Sequence, residues 1–172
     1  MSAYSTKDLT VGAMIAALYV VLTYVSNAFG LASGAIQVRL SESLTILPVL
    51  TSAAVPGLTI GCFLANLLTG CAALDVVFGS LATLLGAAGA RLLRKKPALA
   101  WLPAVISNMV IVPLILIYVY KVPSVSFSIP FTNTVFSGSG YFPFMVTVGI
   151  GEIISCGILG MMVYHVGKPL FK

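Results

Sequence analysis

Three carboxylates and two amides lie where the sequence is otherwise almost uniformly apolar. Glu42, Asp75 and Glu152 are three of only four acidic residues in the chain, and each lies in or beside a hydrophobic segment. Asn66 and Asn108 add side-chain amides, which both donate and accept hydrogen bonds. Ionisable side chains within membrane segments are costly, and they usually mark a pathway or a binding site. These five residues therefore predict a polar, net acidic pocket.

Each carboxylate also has a structural explanation. Asp75 begins a hydrophobic segment, where an aspartate commonly caps a helix. Glu42 follows Arg39 by three residues, a spacing that allows an ion pair on one helical face. Glu152 is the exception, because it lies about ten residues into its segment. A carboxylate at that depth must face a cavity, a partner or a ligand.

Aromatic residues occur close to these positions. With the carboxylates they would form walls suited to a flat, hydrogen-bonding heterocycle, including a cationic one. An aromatic belt at the membrane interface explains most of them equally well. The residues are Phe78, Tyr120, Tyr141, Phe142 and Phe144.

The composition requires a membrane. The chain has 172 residues, of which 59% are hydrophobic and 8% charged, and its mean hydropathy is +1.10. A soluble domain carries about 25% charged residues. Because a membrane-spanning helix needs about 20 apolar residues, the length predicts an all-α membrane protein. We expect a compact bundle of six transmembrane helices that forms one domain over residues 1–172.

Six hydrophobic segments are predicted, at residues 9–29, 43–55, 58–71, 75–93, 99–120 and 142–166. The first is long for a signal peptide and lacks a clear cleavage site, so we expect a retained helix. Segments two and three are short and meet at Pro56-Gly57, a predicted turn. They form either two tilted crossings or one re-entrant hairpin, and their combined length of about 29 residues favours two crossings.

The basic residues predict the orientation. Seven of the nine fall on one side of the membrane in the six-span arrangement, while Arg39 and Lys121 fall on the other. The positive-inside rule then places both termini in the cytoplasm and the acidic pocket toward the outer face. The re-entrant hairpin gives the same charge distribution, so this count does not choose between the two arrangements. The seven are Lys7, Arg91, Arg94, Lys95, Lys96, Lys168 and Lys172.

Several functions lack the residues they need. The net charge of +5 does not indicate nucleic-acid binding, because the basic residues lie at helix ends. Gly167-Lys168 is followed by proline and forms no phosphate-binding loop. With His165 the only histidine, we expect no metal site and no enzyme activity. The odd number of cysteines without a CxxC pair predicts free, membrane-facing thiols.

Small residues form two stripes on the first segment. Gly12 and Ala16 make one pair with small-x-x-x-small spacing, and Ala13 and Ala17 make another. Such spacing lets a second helix approach closely. These residues lie in the cytoplasmic half, away from the acidic pocket. The same spacing recurs at residues 57/61 and 86/90, where packing inside the bundle explains it.

Three stretches carry a family resemblance: VRLSE at 38–42, ANLL at 65–68 and DVVFGSLAT at 75–83. With the Ala13-x-x-x-Ala17 stripe, they resemble the substrate-binding (S) component of an energy-coupling factor (ECF) transporter. More narrowly, the chain resembles the QueT group, which is thought to import queuosine precursors. The resemblance extends over the whole chain.

The resemblance implies a mechanism and partners. The chain would bind preQ1, preQ0 or a queuine-like deazapurine at the outer face of the cell membrane and topple on docking to a coupling subunit. Two partner ATPases would hydrolyse ATP, so the chain itself would need no cofactor. In that family the stripe that corresponds to Ala13-x-x-x-Ala17 contacts the coupling subunit, so the expected docking residues are Gly12, Ala13, Ala16 and Ala17.

The resemblance also implies roles for seven residues. Glu152 and Asp75 would accept hydrogen bonds from the ligand, Asn66 and Asn108 would complete them, and Phe78 would stack, while Glu42 and Arg39 would belong to a gating first loop.

Other functions stay open at this point. The chain could be an S component for another vitamin. A stand-alone secondary transporter would also use buried carboxylates, although such carriers usually show internal repeats, which are not apparent in this sequence. A membrane-embedded enzyme would need a stronger catalytic set, and a structural subunit would lack affinity for a small molecule.

Overall fold

The computed structural model describes residues 5–31, 36–128 and 135–171, and helices dominate these ranges. A short 3-10 helix (Pro97–Leu99) precedes α4, a π-helical segment (Ile153–Leu159) joins α5 to α6, and a last 3-10 turn covers Lys168–Phe171. The main helices are α1 (Thr6–Ala28), a central 3-10 helix (Leu40–Val49), α2 (Ala54–Leu68), α3 (Ala73–Leu92), α4 (Leu102–Tyr118), α5 (Tyr141–Glu152) and α6 (Gly160–Gly167).

Four helical stretches in the described ranges are long and apolar enough to cross a membrane, which confirms the expectation of an all-α membrane protein. These stretches correspond to four of the predicted segments, and most of their ends agree to within a few residues. The last continues beyond the predicted end at residue 166, because the 3-10 turn Lys168–Phe171 follows α6 directly. The four are Thr6–Ala28, Ala73–Leu92, Pro97–Tyr118 and Tyr141–Phe171.

The other two helices are too short to establish six full spans. Leu40–Val49 and Ala54–Leu68 are apolar, but each has fewer than 18 residues. At a rise of about 2 Å per residue, a ten-residue 3-10 helix is roughly 20 Å long. The hydrocarbon layer is about 30 Å thick. Helix length therefore supports four spans directly.

The predicted turn at Pro56-Gly57 is wrong. The chain turns at residues 51–53, and Pro56 is the third residue of α2. Proline is tolerated there because the first N–H groups of a helix have no partner within it. Gly57 lies where α2 crosses α1, and a Cβ atom at this position would be 2.6 Å from the carbonyl oxygen of Gly12. The glycine therefore serves close helix packing.

The central 3-10 helix forms the core of the bundle. Every residue from Ser41 to Pro48 is buried, and the helix contacts α1, α3, α6 and the π segment. Leu44 and Leu47 pack against Ile15 of α1 and Leu58 of α2. Because neighbours surround this helix, its polar side chains must find partners inside the protein.

The bundle has two chemically different ends. At the basic end, α3 finishes in the run Arg91–Lys96, and Arg91 Nη1 donates a hydrogen bond to the Pro48 carbonyl oxygen (3.0 Å). At the hairpin end, β1 (Val125–Ser128) and β2 (Val135–Gly138) pair in antiparallel fashion. This hairpin was not predicted, because residues 121–141 show only a polar-aromatic composition in the sequence.

Candidate functional site

Buried polar side chains from most of the main helices meet in the half of the bundle toward the hairpin end. None of the six buried members exposes more than 7% of its surface, while Arg39, at the start of the 3-10 helix, is partly buried. We call this group the polar cluster: Tyr19, Arg39, Glu42, Asn66, Asn108, Glu152 and Cys156.

Two carboxylates that are far apart in sequence lie side by side in this cluster. A carboxylate oxygen of Glu42, one of Glu152 and the Cys156 Sγ all lie within 4.8 Å of one another. Cys156 follows Glu152 by one helical turn, and its Sγ donates a hydrogen bond to Glu152 Oε2 (3.2 Å). The π segment begins directly after Glu152. Such local widening of a helix frequently occurs at functional sites.

The Glu42 carboxylate has one satisfied and one free oxygen. The Tyr19 hydroxyl donates a hydrogen bond to Glu42 Oε1. Glu42 Oε2 has no hydrogen-bond partner among the described residues, although the side chain is only 1% exposed. A buried polar atom without a partner costs about 1–3 kcal/mol, and more for a charged group. The free oxygen is therefore an acceptor that a ligand donor could satisfy.

Two nitrogen-bearing side chains lie next to the carboxylates. Asn108 is buried beside both Glu42 and Glu152. Arg39 Nη2 donates to Asn66 Oδ1 (3.4 Å). Arg39 and Glu42 do not share a helical face, because the Arg39 backbone is extended. The guanidinium nevertheless lies close enough to interact electrostatically with Glu42.

Asp75 lies at the edge of the cluster. It is the third residue of α3, and no side chain caps this helix, so the capping explanation for Asp75 is wrong. The Tyr120 hydroxyl donates to Asp75 Oδ2 (2.7 Å) and accepts from the Ala72 N–H (3.2 Å). Burial raises the pKa of Tyr120 above its ordinary value, and the Asp75 hydrogen bond acts in the same direction. The phenol therefore stays protonated and remains a donor.

Gly79 lies between Asp75 and the cluster residue Asn66. A Cβ atom on Gly79 would lie 2.9 Å from Asn66 Nδ2 and 3.3 Å from Asp75 Oδ1. The absence of a side chain at Gly79 therefore leaves the space in which these two polar groups approach each other.

A cavity of about 390 Å³ lies at the hairpin end, next to the cluster. Val148, in its wall, precedes Glu152 by one turn of α5. Gln37, also in the wall, packs on Gly151, where a Cβ atom would be 2.0 Å from the Gln37 carbonyl oxygen. The cavity therefore approaches the carboxylates from the hairpin end. Its lining residues are Gln37, Leu116, Val122, Ser124, Val125, Ser126, Phe144, Thr147 and Val148.

A comparison with known families decides the identity. A family model described as QueT transporter matches residues 9–168. The chain belongs to the QueT transporter family. The Queuosine precursor transporter QueT of Lactococcus lactis subsp. cremoris (strain MG1363) is 36% identical over 84 residues, which cover 49% of this chain. The chain spans about half the length of this curated relative (49%). No solved structure matches the chain.

Family membership confirms the resemblance to the QueT group. The structure gathers five of the seven residues named for the ligand in this QueT-family chain: Arg39, Glu42, Asn66, Asn108 and Glu152. Asp75 lies at the edge of this group. Phe78 does not reach it, because its side chain lies on the outer surface of α3 and is 44% exposed.

The cluster also contains residues that sequence reasoning missed. Tyr19 was not singled out, although a tyrosine in the middle of an apolar helix is a signal, because its hydroxyl needs a partner when buried. The prediction of membrane-facing thiols is wrong for Cys62 and Cys156, which are buried, whereas Cys71 is partly exposed. All three cysteines are free, as predicted.

An apolar groove of about 480 Å³ lies between α1 and α2, and we call it the α1–α2 groove. Ala13 and Ala17 are exposed in its wall. Ala16 is buried against α2, where a Cβ atom on Gly61 would be 3.0 Å from the Ala16 Cα atom. The two small-residue stripes therefore differ, since one packs inside the QueT-family bundle and the other faces outward. The groove is lined by Asp8, Leu9, Gly12, Ala13, Ala16, Ala17, Val20, Ala53, Pro56, Gly57, Ile60 and Leu64.

Proposed function

We propose that this chain is the substrate-binding component of an ECF-type importer and that it binds a queuosine precursor in the polar cluster. Membership of the QueT family and the name of the curated relative support a queuosine precursor as the substrate. The observation that carries the binding site is the buried Glu42 carboxylate with its unpartnered oxygen. PreQ1, preQ0 and queuine-like deazapurines are the proposed ligand class.

The chemistry of the cluster suits such a ligand. A 7-deazaguanine presents neighbouring N–H donors on one edge of a flat ring. A carboxylate accepts paired donors, and an amide both donates and accepts. Glu42 and Glu152 would take the donor edge or a basic substituent, while Asn66 and Asn108 would satisfy the remaining polar atoms. Asp75 and Arg39 would contribute from the edge of the site.

Transport would need partners, because the chain has no phosphate-binding loop of its own. We propose that a membrane-embedded coupling subunit docks in the α1–α2 groove and that two ATPases supply the energy. The exposed Ala13 and Ala17 support this surface, because small residues let the backbones of two membrane helices approach closely. The groove is apolar and faces outward, as contact with another membrane subunit requires.

The proposed topology follows the charges. The basic end faces the cytoplasm with both termini, and the hairpin end faces outward. The central 3-10 helix and α2 then form two short crossings, which gives six in all. The two ends of the 3-10 helix fit this path. Its first end lies next to Arg39, which contacts Asn66. Near its last end, the Pro48 carbonyl accepts a hydrogen bond from Arg91 at the basic end.

Ligand binding to the purified protein tests the proposal. We expect a deazapurine to raise the melting temperature, whereas thiamine and riboflavin leave it unchanged. Glu152→Gln and Glu42→Gln should reduce the shift strongly, while Asp8→Asn, which removes a carboxylate far from the cluster, should retain it. Stabilisation by another vitamin alone would contradict the substrate, and wild-type binding in both cluster variants would contradict the site.

One observation favours a second function. Paired buried carboxylates also serve proton-coupled carriers, which transport without an ATPase. Uptake of a deazapurine into proteoliposomes that contain this chain alone would decide for such a carrier. We expect uptake only when the coupling subunit and the ATPases are present.

A further inference from the structure

The polar cluster contains more acidic than basic side chains. Glu42 and Glu152 contribute two carboxylates, and Arg39 contributes one guanidinium, which hydrogen-bonds to Asn66. The Glu152 carboxylate accepts a hydrogen bond from the neutral Cys156 thiol and lies beside the neutral Asn108 amide. Removing two carboxylates from water without a cation for each is costly. The described residues therefore supply one basic side chain for two buried carboxyl groups.

The spacing of the carboxylates fits a nitrogen between them. One carboxylate oxygen of Glu42 and one of Glu152 lie within 4.8 Å of each other. An ammonium nitrogen bonds to a carboxylate oxygen at about 2.8 Å. A nitrogen placed between two oxygens at this spacing can therefore reach both at normal hydrogen-bond length. The unpartnered Glu42 Oε2 is an independent sign that a donor is expected here.

A metal ion fits the same atoms less well. Glu42 Oε1 already accepts the Tyr19 hydroxyl, and the Cys156 thiol donates its proton to Glu152. The Arg39 guanidinium is close enough to interact with both carboxylates and would repel a divalent cation. A compact organic ammonium adds only one charge and supplies the hydrogen-bond donors that these oxygens need.

We infer that the Glu42–Glu152 pair selects ligands with an alkylammonium group, so that a cationic deazapurine binds more tightly than a neutral one with the same ring. This inference rests on the proposed function and specifies the charge of its substrate. The carboxylate pair takes the ammonium, and the rest of the cluster takes the ring. A neutral substituent in that place leaves the pair without a counter-charge.

Isothermal titration of the full chain with two matched compounds tests the inference. The cationic probe is 7-aminomethyl-7-deazaguanine, and the neutral probe is 7-cyano-7-deazaguanine. We expect the wild type to bind the cationic probe at least about thirtyfold more tightly, since an unpaired buried charge costs about 2 kcal/mol or more. Glu152→Gln keeps the side-chain shape and should reduce this ratio to about threefold or less. Asp8→Asn, which removes a carboxylate in the first turn of α1, far from the cluster, should preserve the ratio.

The outcomes separate this inference from the proposed function. Equal binding of both probes by the wild type overturns the inference and leaves the proposed function standing. Binding of neither probe overturns both. A ratio that persists in Glu152→Gln and Glu42→Gln overturns the role of the pair, and the wild-type ratio is measurable even where a variant fails to fold. Stoichiometric binding of zinc or calcium alone, lost in Glu152→Gln, also overturns the inference, because the pair would then be a metal site.

Discussion

The polar cluster and the α1–α2 groove are built on opposite principles, although α1 contributes to both. The cluster is polar and buried, and it collects single side chains from elements far apart in sequence. The groove is apolar and exposed, and two helices, α1 and α2, line most of it. Tyr19 reaches the cluster from one side of α1, while Ala13 and Ala17 face outward from another. A buried oxygen that lacks a hydrogen-bond donor suits a small ligand, whereas an exposed apolar surface with small side chains suits a protein partner.

The largest expected effect concerns the groove. The double variant Ala13→Trp Ala17→Trp would fill it with two large side chains and prevent close approach of another helix. We expect uptake in cells that contain the coupling subunit to be abolished, with ligand affinity unchanged. Radiolabelled uptake and titration of the purified protein measure the two quantities.

Leu18→Trp is the matched control for this variant. Leu18 is also exposed on α1 (46%) but does not line the groove. We expect wild-type uptake from it. Normal uptake by the double variant would show that the groove is not the docking surface.

The next effect concerns the cluster. Glu42→Gln preserves an acceptor for Tyr19 but removes the charge from a buried site. We expect the affinity for a cationic deazapurine to fall by about thirtyfold or more. The melting temperature of the ligand-free protein should not decrease, because the variant removes repulsion between two buried carboxylates. A loss of stability without a loss of affinity would indicate that Glu42 is structural.

A smaller effect should follow from the packing beneath the groove. Gly57→Ala places a Cβ atom 2.6 Å from the Gly12 carbonyl oxygen, which cannot move without shifting α1. We expect destabilisation by about 1–3 kcal/mol, as for other overpacked sites. Thermal or denaturant unfolding in detergent measures it.

Gly157→Ala serves as the comparison, because the nearest neighbouring heavy atom would lie 3.6 Å from its Cβ atom, in Trp101. We expect stability at or above the wild-type level from this variant. Equal stability of both glycine variants would contradict the close packing of α1 on α2.

The smallest expected effect lies at the edge of the cluster. Tyr120→Phe removes the hydrogen bond to Asp75, which contributes about 1 kcal/mol or less. We expect the deazapurine affinity to change by less than about fivefold, as measured by titration. Tyr118→Phe, at a tyrosine that is 75% exposed, is the control. A larger loss in Tyr120→Phe would place Asp75 within the site.

The sequence was most informative where hydrophobic length alone decides the structure. The four long helices were predicted because a continuous apolar run of about 20 residues has few alternatives in a membrane. The sequence misplaces the 3-10 helix and α2, because Pro56-Gly57 predicts a turn. Proline in the first turn of a helix and glycine at a helix crossing give the same sequence signal as a turn. The partner that distinguishes them, Gly12, lies on another helix.

The site divides in the same way. The cost of burying charge in an apolar segment singles out Glu42 and Glu152 from the sequence alone. Only the tertiary packing decided that Glu42 and Glu152 lie side by side, next to Tyr19 and Cys156. Phe78 and Asp75 show the limit most clearly. They are three residues apart on α3, but the rotation of this helix turns Phe78 outward and leaves Asp75 beside Tyr120.

The sequence by itself therefore determined that the chain is a membrane protein and that a few of its carboxylates are candidates for a binding site. Hydropathy and the cost of buried charge decide this, because both are properties of single residues. Only the tertiary structure decided which oxygen lacks a partner and which alanines face outward. Those are properties of helix rotation and contact, and they depend on residues that the sequence keeps far apart.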